Sequence, residues 1–565
     1  MESARQVPPR LPRAITALRG YNRDTALADV TAGVTVGLVA LPLALAFAIS
    51  SGLTPQAGIY TAIVAGALIS LLGGSRLQIG GPTGAFVVIV AGIVANHGVE
   101  GLFVCTVMAG AILIVLGATG MGSAVRFIPR PVVVGFTNGI AVLIASTQVR
   151  DFFGLSMETV PTQFVPRIQL LAARFSTWSP SATALALCAI AIIVLANRMS
   201  KRIPGAIVAL GVGTLAVVAF AMPVETIGTR FGGIPSGLPR IHWPAFPVAL
   251  LGTLVVPAMT VAMLGAIESL MSAMVADRMS GDRHDSNMEL MAQGVANIAS
   301  PLFGGLPATG AIARTATNIR SGAQTPVAGV VHSLTLVVVL LVAAPLARYV
   351  PLAVLAAILV VVSYNMGDWA EIPELLRLTK TDVTVWLITF ALTVFADLTT
   401  AVGVGMVCAA LLFIKRVADT TTVSAVTDDY VEEGHVHSLQ NQLIPPYVRI
   451  FRIHGPFLFG ATEKLRPVFD GIESLPPIAI LRLRNMTALD ATGLRAFEDL
   501  AAALHASGRT LLLCGARDQP ERLIARADFR RHIGDANICS NITEALERAR
   551  QVHASNHGEP TQPAA

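Results

Sequence analysis

Between residues 27 and 414 the chain is a succession of apolar runs, near 27–49, 56–73, 83–95, 101–119, 131–149, 181–197, 203–221, 247–276, 287–302, 325–345, 350–366, 383–396 and 400–414. Several approach the roughly 20 residues a helix needs to cross a bilayer. In lipid every backbone amide must be paired within the protein, which leaves helices as the way to use such runs. The run at 83–95 is too short to cross alone. A polar segment at 309–319 escapes a hydropathy scan but completes the pattern below. With it there are fourteen segments, an even number that puts both termini on one side.

Charge follows the same division. Charged residues are 13% of the chain, against roughly 25% in soluble domains. Residues 1–416 hold 42 of the 75 charged side chains and residues 417–565 hold 33, so a membrane part precedes one soluble domain of ordinary polarity. A secreted enzyme, a fibrous protein and a disordered scaffold are excluded. The membrane part carries a net +8 and the tail −3, so the soluble part lacks the basic face a nucleic-acid partner requires. Five cysteines are scattered without a Cys-x-x-Cys pair, and Cys105, Cys188 and Cys408, in apolar runs, read as buried small hydrophobes rather than disulfides or metal ligands. Residues 1–25 are rich in Arg and Pro and read as a cytoplasmic tail rather than a cleavable signal.

Positive residues set the sidedness. Arg5, Arg10, Arg13, Arg19 and Arg23 precede the first span, and Arg76, Arg126, Arg130, Arg198, Lys201, Arg202, Lys380, Lys415 and Arg416 thread to the same face. Arg150, Arg167, Arg174, Arg230, Arg240 and Arg348 fall opposite. Both termini and the soluble domain are therefore expected in the cytoplasm, beneath a multi-pass domain of the cell (inner) membrane at 26–417.

Two loops repeat. Gly80-Gly81-Pro82-Thr83-Gly84-Ala85 opens the short third segment, and Gly304-Gly305-Leu306-Pro307-Ala308-Thr309-Gly310-Ala311 opens the short tenth. Each is Gly-Gly, Pro, then Thr-Gly-Ala ahead of a helix too short to cross. Pro suits a first helical turn and Thr can cap its amides. Both occupy the third position of a seven-segment half, so the halves (about 26–221 and 246–416) thread in opposite senses. Such paired interruptions mark the binding site of inverted-repeat transporters; the alternative is two unrelated kinks. A helix N-terminus carries unpaired amides and about half a positive charge, which selects a small anion and repels a cation.

Ionisable groups inside spans are functional candidates. Glu268 lies in the eighth segment, with Ser272 one turn later on the same face. Arg314 lies five residues past Thr309, on a face shared with Gly310, whose missing side chain is expected to leave room for the guanidinium. Arg314 and the two helix starts would attract the anion, while Glu268 titrates and couples transport to protons. The structural alternatives are a fixed ion-pair partner for Glu268 and snorkelling of Arg314 to the interface. Asp397 and His332 read as helix-end and core groups.

In the tail, 447–453 and 478–484 read as strands, with Leu481 and Leu483 alternating with Arg482 and Arg484 as an apolar and a polar face. Leu494, Phe497, Leu500, Ala501 and Leu504 repeat at helical spacing, 511–514 is a buried strand and 541–551 a helix, so a small α/β sheet follows. Residues 553–565 read as a disordered tail. No P-loop supports ATP-driven pumping, and no cofactor or metal is expected.

With these motifs the chain resembles the sulfate permease (SulP) family of anion transporters. The resemblance is carried by Leu41-Pro42-Leu43-Ala44-Leu45-Ala46-Phe47-Ala48, the Gly-Gly-Pro-Thr-Gly loop, Gly265-Ala266-Ile267-Glu268-Ser269-Leu270 and Pro307-Ala308-Thr309-Gly310-Ala311-Ile312-Ala313-Arg314-Thr315. The tail (440–552) resembles a STAS domain through Leu489-Asp490-Ala491-Thr492-Gly493. The resemblance is nearest to the bacterial C4-dicarboxylic acid transporters. It implies a polytopic α-helical membrane protein of fourteen segments in a 7+7 inverted repeat, with core (1–4, 8–11) and gate (5–7, 12–14) domains, elevator-like alternating access and a homodimer. Phe47, Pro82, Thr83, Gly84, Thr309, Gly310, Ala311 and Arg314 would surround the anion, with Glu268 for proton coupling. Where vertebrate members often have Gln, this chain has Leu43. An Asp matches Glu268 in sodium-coupled bicarbonate members, yet Arg314 would crowd a sodium ion. Thr492 sits where related anti-sigma antagonists carry a phosphorylatable Ser, a regulatory position or a structural turn hydroxyl.

Proton-coupled uptake of sulfate or a C4-dicarboxylate such as succinate, fumarate or aspartate is the leading reading. Beside it stand sodium-coupled bicarbonate transport or anion exchange, a nucleobase transporter of the same fold, and an anion sensor that signals to a cytoplasmic partner through STAS.

Overall fold

The computed structural model describes residues 11–557 apart from 19, 123–128, 158–159, 200–203, 236, 242–247, 378, 397, 427–443 and 528. Arg5, Arg10, Arg19, Arg126, Lys201, Arg202, Asp397 and residues 558–565 lie outside the described residues. The chain divides into two compact units, 1–407 and 408–565.

All fourteen segments are helical among the described residues. They are α1 (Arg23–Ser50), α2 (Pro55–Leu72), α3 (Gly84–Ala118), α4 (Arg130–Phe153), α5 (Pro180–Met199), α6 (Gly205–Ala219), α7 (Val248–Ser280), α8 (Ser286–Leu302), α9 (Ile312–Arg320), α10 (Val327–Ala347), α11 (Leu352–Met366), α12 (Lys380–Phe395) and α13 (Leu398–Thr420). The third and fourth segments form one helix, α3, broken at Gly98, whose φ of +71° lies outside helical values. Among the described residues, eight helices are long and apolar enough to cross a membrane. Outward-facing Leu187, Leu215, Val342 and Leu341 are exposed, the reverse of a soluble protein and the surface lipid requires. Cys188, expected to be buried, shares that outer surface. An apolar thiol in hydrocarbon loses nothing by facing outward.

The helices form two bundles. One packs α1, α2, α3, α7, α8, α9 and α10; the other packs α4, α5, α6, α11 and α12. With no hydrophobic drive between helices in lipid, close approach depends on small residues. Gly110 of α3 and Gly294 of α8 face one another, and a Cβ on either would lie 2.6 or 2.5 Å from the other's carbonyl oxygen. A Cβ on Gly58 of α2 would come closer still, 1.9 Å from the Ala44 carbonyl oxygen of α1. Gly294→Val is therefore expected to prise α3 from α8. Detergent-solubilised protein should melt several degrees lower, from a loss of about 1–3 kcal/mol, whereas Gly92→Ala, with open space around it, should melt as the parent does.

Between the bundled helices, β1 (Gly80–Gly81) and β2 (Thr309–Gly310) pair antiparallel, Gly80 opposite Gly310 and Gly81 opposite Thr309. The tenth segment therefore begins as a helix at Ile312 rather than at Thr309. Residues 309 and 310 are taken by the strand pair.

The second unit holds a five-stranded sheet in the order β3 (Thr422–Ala425), β4 (Val448–Phe457), β5 (Ile478–Leu489), β6 (Thr510–Cys514) and β7 (Ile538–Cys539), parallel except for β3 against β4. The sheet starts at Thr422, before the expected 440, and the Thr421 hydroxyl anchors that end on the Pro456 carbonyl at 2.6 Å. Helices Ala491–Ala506 and Ile542–His557 supply two apolar layers, so both faces of β5 are covered. Arg482, expected on a polar face, is accordingly buried, while Arg484 is exposed. The last helix continues to His557, so residues 553–557 are helical rather than disordered. Cys514 and Cys539 are buried neighbours whose thiols burial pushes up to about 12 and about 11, so both are inert hydrophobes at neutral pH.

Candidate functional site

The strand pair fixes where the two half-helices begin. Gly80 lies against Ile69 of α2, and Gly81, with φ +144°, lies against Ala62 of α2 and the Arg314 guanidinium. The Ala311 amide donates to the Ile79 carbonyl at 2.8 Å, extending the pairing by one residue. Helix α8 supports β2 from behind. Asn297 exchanges two 2.8 Å hydrogen bonds with Ala308, and Thr61 of α2 accepts from the Leu306 amide. Glu289, fully buried, accepts from the amides of Gly74 and Ser75 and holds the turn that leads toward β1.

Neither half-helix start carries a side-chain cap. Thr83 occupies the N-cap position of α3, but its hydroxyl donates to Glu268 Oε2 at 2.9 Å. Thr309 lies two residues ahead of the Ala311 cap of α9, and its hydroxyl donates to the Gly265 carbonyl at 3.2 Å. The expected Thr caps are thus replaced by bonds to α7, because both hydroxyls face that helix.

Ser269 completes the arrangement. Its hydroxyl accepts from the Gly310 amide at 3.1 Å and lies 2.7 Å from Thr309 Oγ1. The result is a relay from the Gly310 amide through Ser269 and Thr309 to Gly265. One turn further on, Ser272 is paired with Thr315, which also accepts from the Ile79 amide at 3.0 Å. Ser269 was legible only as the neighbour of Glu268; its role depends on β2, which no periodicity reveals.

Glu268 is half-buried on α7, and the charge that acts on it is that of Arg314, without a direct ion pair among the described residues. Arg314 is buried and donates to the Pro82 carbonyl. It therefore does not snorkel to an interface. The glycine that makes room for it is Gly81 rather than Gly310: the space above Gly310 is filled by the amide of Gln78. Phe47 of α1 is buried, its ring 3.3 Å from where a Cβ of Gly84 would stand, with Ile144 of α4 and Met366 of α11 on the same spot. The structure thus brings together Phe47, Pro82, Thr83, Gly84, Glu268, Thr309, Gly310, Ala311 and Arg314. His332 is buried on α10, beside Gly66 of α2, which also meets the Gly80 carbonyl of β1, and lies within reach of the Arg314 charge.

In the tail, Thr492 is exposed in the first turn of its helix. Asp490 caps that helix at the Gly493 amide, 2.7 Å, and accepts from the Phe459 amide at 3.0 Å. No group of three or more His, Cys, Asp or Glu placed to hold a metal ion occurs among the described residues.

Known proteins with this pattern are membrane transporters. The signature of the sulfate permease family matches residues 27–389 and that of the STAS domain residues 441–545. The chain is 39% identical over 528 residues to the putative sulfate transporter YvdB of Bacillus subtilis, covering 93% of this chain and 98% of that protein. It is 30% identical over 541 residues to the bicarbonate transporter BicA of Picosynechococcus, covering 92% and 94%. Among solved structures, the murine anion transporter Slc26a9 in an inward-facing state superposes with a TM-score of 0.85 at 19% identity, over 98% of this chain and 96% of that one. The transmembrane domain of a cyanobacterial BicA gives 0.60 at 33% identity, over 69% and 98%.

Proposed function

Since this chain belongs to the sulfate permease family and ends in a STAS domain, we propose that it is a secondary active transporter that carries a small oxyanion or C4-dicarboxylate across the cell membrane, coupled to protons. The observation that carries the reading is the pair of uncapped helix starts joined through β1 and β2 beside Glu268. Amides left without a cap are available to an anion, and their dipoles favour negative charge. Arg314 adds a fixed positive charge behind the strands, holding the Pro82 carbonyl and so the start of α3. Its part is to set the potential of the site and the geometry of the loop. Phe47 and Gly84 form the apolar wall that excludes water.

Glu268 is the group that takes up and releases the coupling proton. It is held by Thr83 on the same loop that presents the amides, so its charge state and the anion act on one another directly. The bundle of α1–α3 and α7–α10 then moves as a body past the α4–α6 and α11–α13 group, in an elevator-like cycle. Homodimerisation, cytoplasmic termini and a cytoplasmic partner of the STAS domain, with Thr492 as a regulatory hydroxyl, belong to the same proposal. The STAS domain and Arg314 disfavour a nucleobase substrate. Sodium-coupled bicarbonate transport is the second reading, supported by the 30% identity to the Picosynechococcus bicarbonate transporter.

The test is uptake of labelled succinate, sulfate and bicarbonate into proteoliposomes, with inward proton or sodium gradients imposed separately. Proton-driven accumulation of succinate or sulfate is the expected result. Sodium-driven bicarbonate uptake selects the second reading, and absence of flux for all three points to a sensor.

A further inference from the structure

Gln78 stands two residues ahead of Gly80. Its two neighbours are tied to α9, where the Ile79 amide donates to Thr315 Oγ1 and the Asn318 side-chain amide donates to the Leu77 carbonyl. It is 4% exposed, and neither its Oε1 nor its Nε2 has a partner among the described residues. Buried side-chain amides without partners are rare, and each unpaired group costs the full loss of its hydration. Its position is also specific. A Cβ on Gly310 would lie 1.6 Å from Nε2 and 2.6 Å from Cδ of Gln78, with the Ser269 Cα at 3.2 Å on the other side. Glycine at 310 is thus what allows this amide to lie over β2, two residues ahead of the first helical residue of α9.

We propose that the Gln78 amide is a specificity-determining group of the anion site, favouring an oxyanion that still carries a proton over one that is fully deprotonated. The proposal rests on the reading of the chain as an anion transporter. The chemistry is one of donors and acceptors. Helix amides and an Arg guanidinium only donate, whereas a side-chain amide offers two donors and an acceptor. A hydrogen carbonate or a half-protonated dicarboxylate can accept from Nε2 and donate its O–H to Oε1. Sulfate can use only Nε2 and leaves Oε1 buried and unpaired. Sites built around a substrate hydroxyl reject analogues that lack it far more strongly than apolar pockets reject a missing methyl.

The experiment uses the full chain in proteoliposomes, with initial rates of labelled bicarbonate and sulfate uptake. Gln78→Leu is expected to raise the bicarbonate KM about tenfold or more while changing the sulfate KM by less than about threefold, as loss of a hydrogen bond to a charged ligand implies. Gln78→Asn, which keeps the amide on a shorter stem, should retain the preference. Gly310→Ala should lose transport of both anions, because its methyl collides with the amide. The double variant Gln78→Ala/Gly310→Ala separates filler from reader. With the amide gone the methyl at 310 meets nothing there, so melting in detergent should return toward that of the parent while the bicarbonate KM stays raised. Parental KM values for both anions in the double variant, or equal rises for both in Gln78→Leu, would overturn the proposal and leave a space-filling amide that holds water. Absence of any anion uptake by the unmodified chain would instead overturn the transport reading beneath it.

Discussion

Glu268→Gln is expected to abolish proton-driven accumulation while leaving the protein folded and able to equilibrate its anion. One proton moving down a gradient of one pH unit supplies about 1.4 kcal/mol, enough for roughly tenfold accumulation of a singly coupled substrate. With acid outside, the parent chain should reach that ratio and the Gln variant should stay near unity. The substitution isolates titration from geometry. A side-chain amide can still accept the hydrogen bond from Thr83 that Glu268 Oε2 receives at 2.9 Å, so the loop keeps its anchor. Thr83→Ala is the complementary variant: the carboxyl remains, its hydrogen-bond donor is lost, and accumulation should persist with a displaced pH profile. Undiminished gradient-driven accumulation by Glu268→Gln would remove Glu268 from the coupling step and leave it as a structural partner of Thr83.

The helices are legible in the sequence because hydropathy reports the bilayer directly, and the repeated Gly-Gly–Pro–Thr-Gly-Ala loops mark an inverted repeat. Thr83, Thr309 and Gly310 depart from their sequence pattern for one shared reason. Local rules alone assign them other roles: a hydroxyl ahead of a helix caps it, and a glycine one turn from an arginine makes room for it. The pairing of β1 with β2 joins residues more than two hundred positions apart, and it reassigns each of them. Thr83 and Thr309 turn to α7, Gly310 makes room for Gln78, and Gly81 makes room for Arg314. Arg482 shows the same limit in the soluble unit. Alternation along β5 suggested one wet face, but a parallel sheet is covered on both, and the second layer comes from a helix some sixty residues later.

Gly81→Ala is expected to weaken anion binding through its backbone and through its neighbour at once. Two effects act together there. The backbone of Gly81 has φ +144°, a conformation side chains rarely adopt, and holding a non-glycine residue in such a region costs about 1–3 kcal/mol. The added Cβ would also stand 2.7 Å from Arg314 Nη1, with the Ala62 Cα at 3.4 Å, so it cannot escape toward α2. The guanidinium must then leave the Pro82 carbonyl, and the start of α3 loses the contact that orients its free amides. Anion affinity should fall about tenfold or more, since 1.4 kcal/mol of lost orientation is already a factor of ten. Gly98→Ala provides the control. Its φ of +71° is equally unsuited to alanine, but nothing lies within 4 Å of the added methyl. It should therefore lower the melting temperature and leave the KM alone. If the two variants were to lose affinity equally, backbone strain would account for the whole effect, and the seat of Arg314 against Gly81 would have no bearing on how the anion is held.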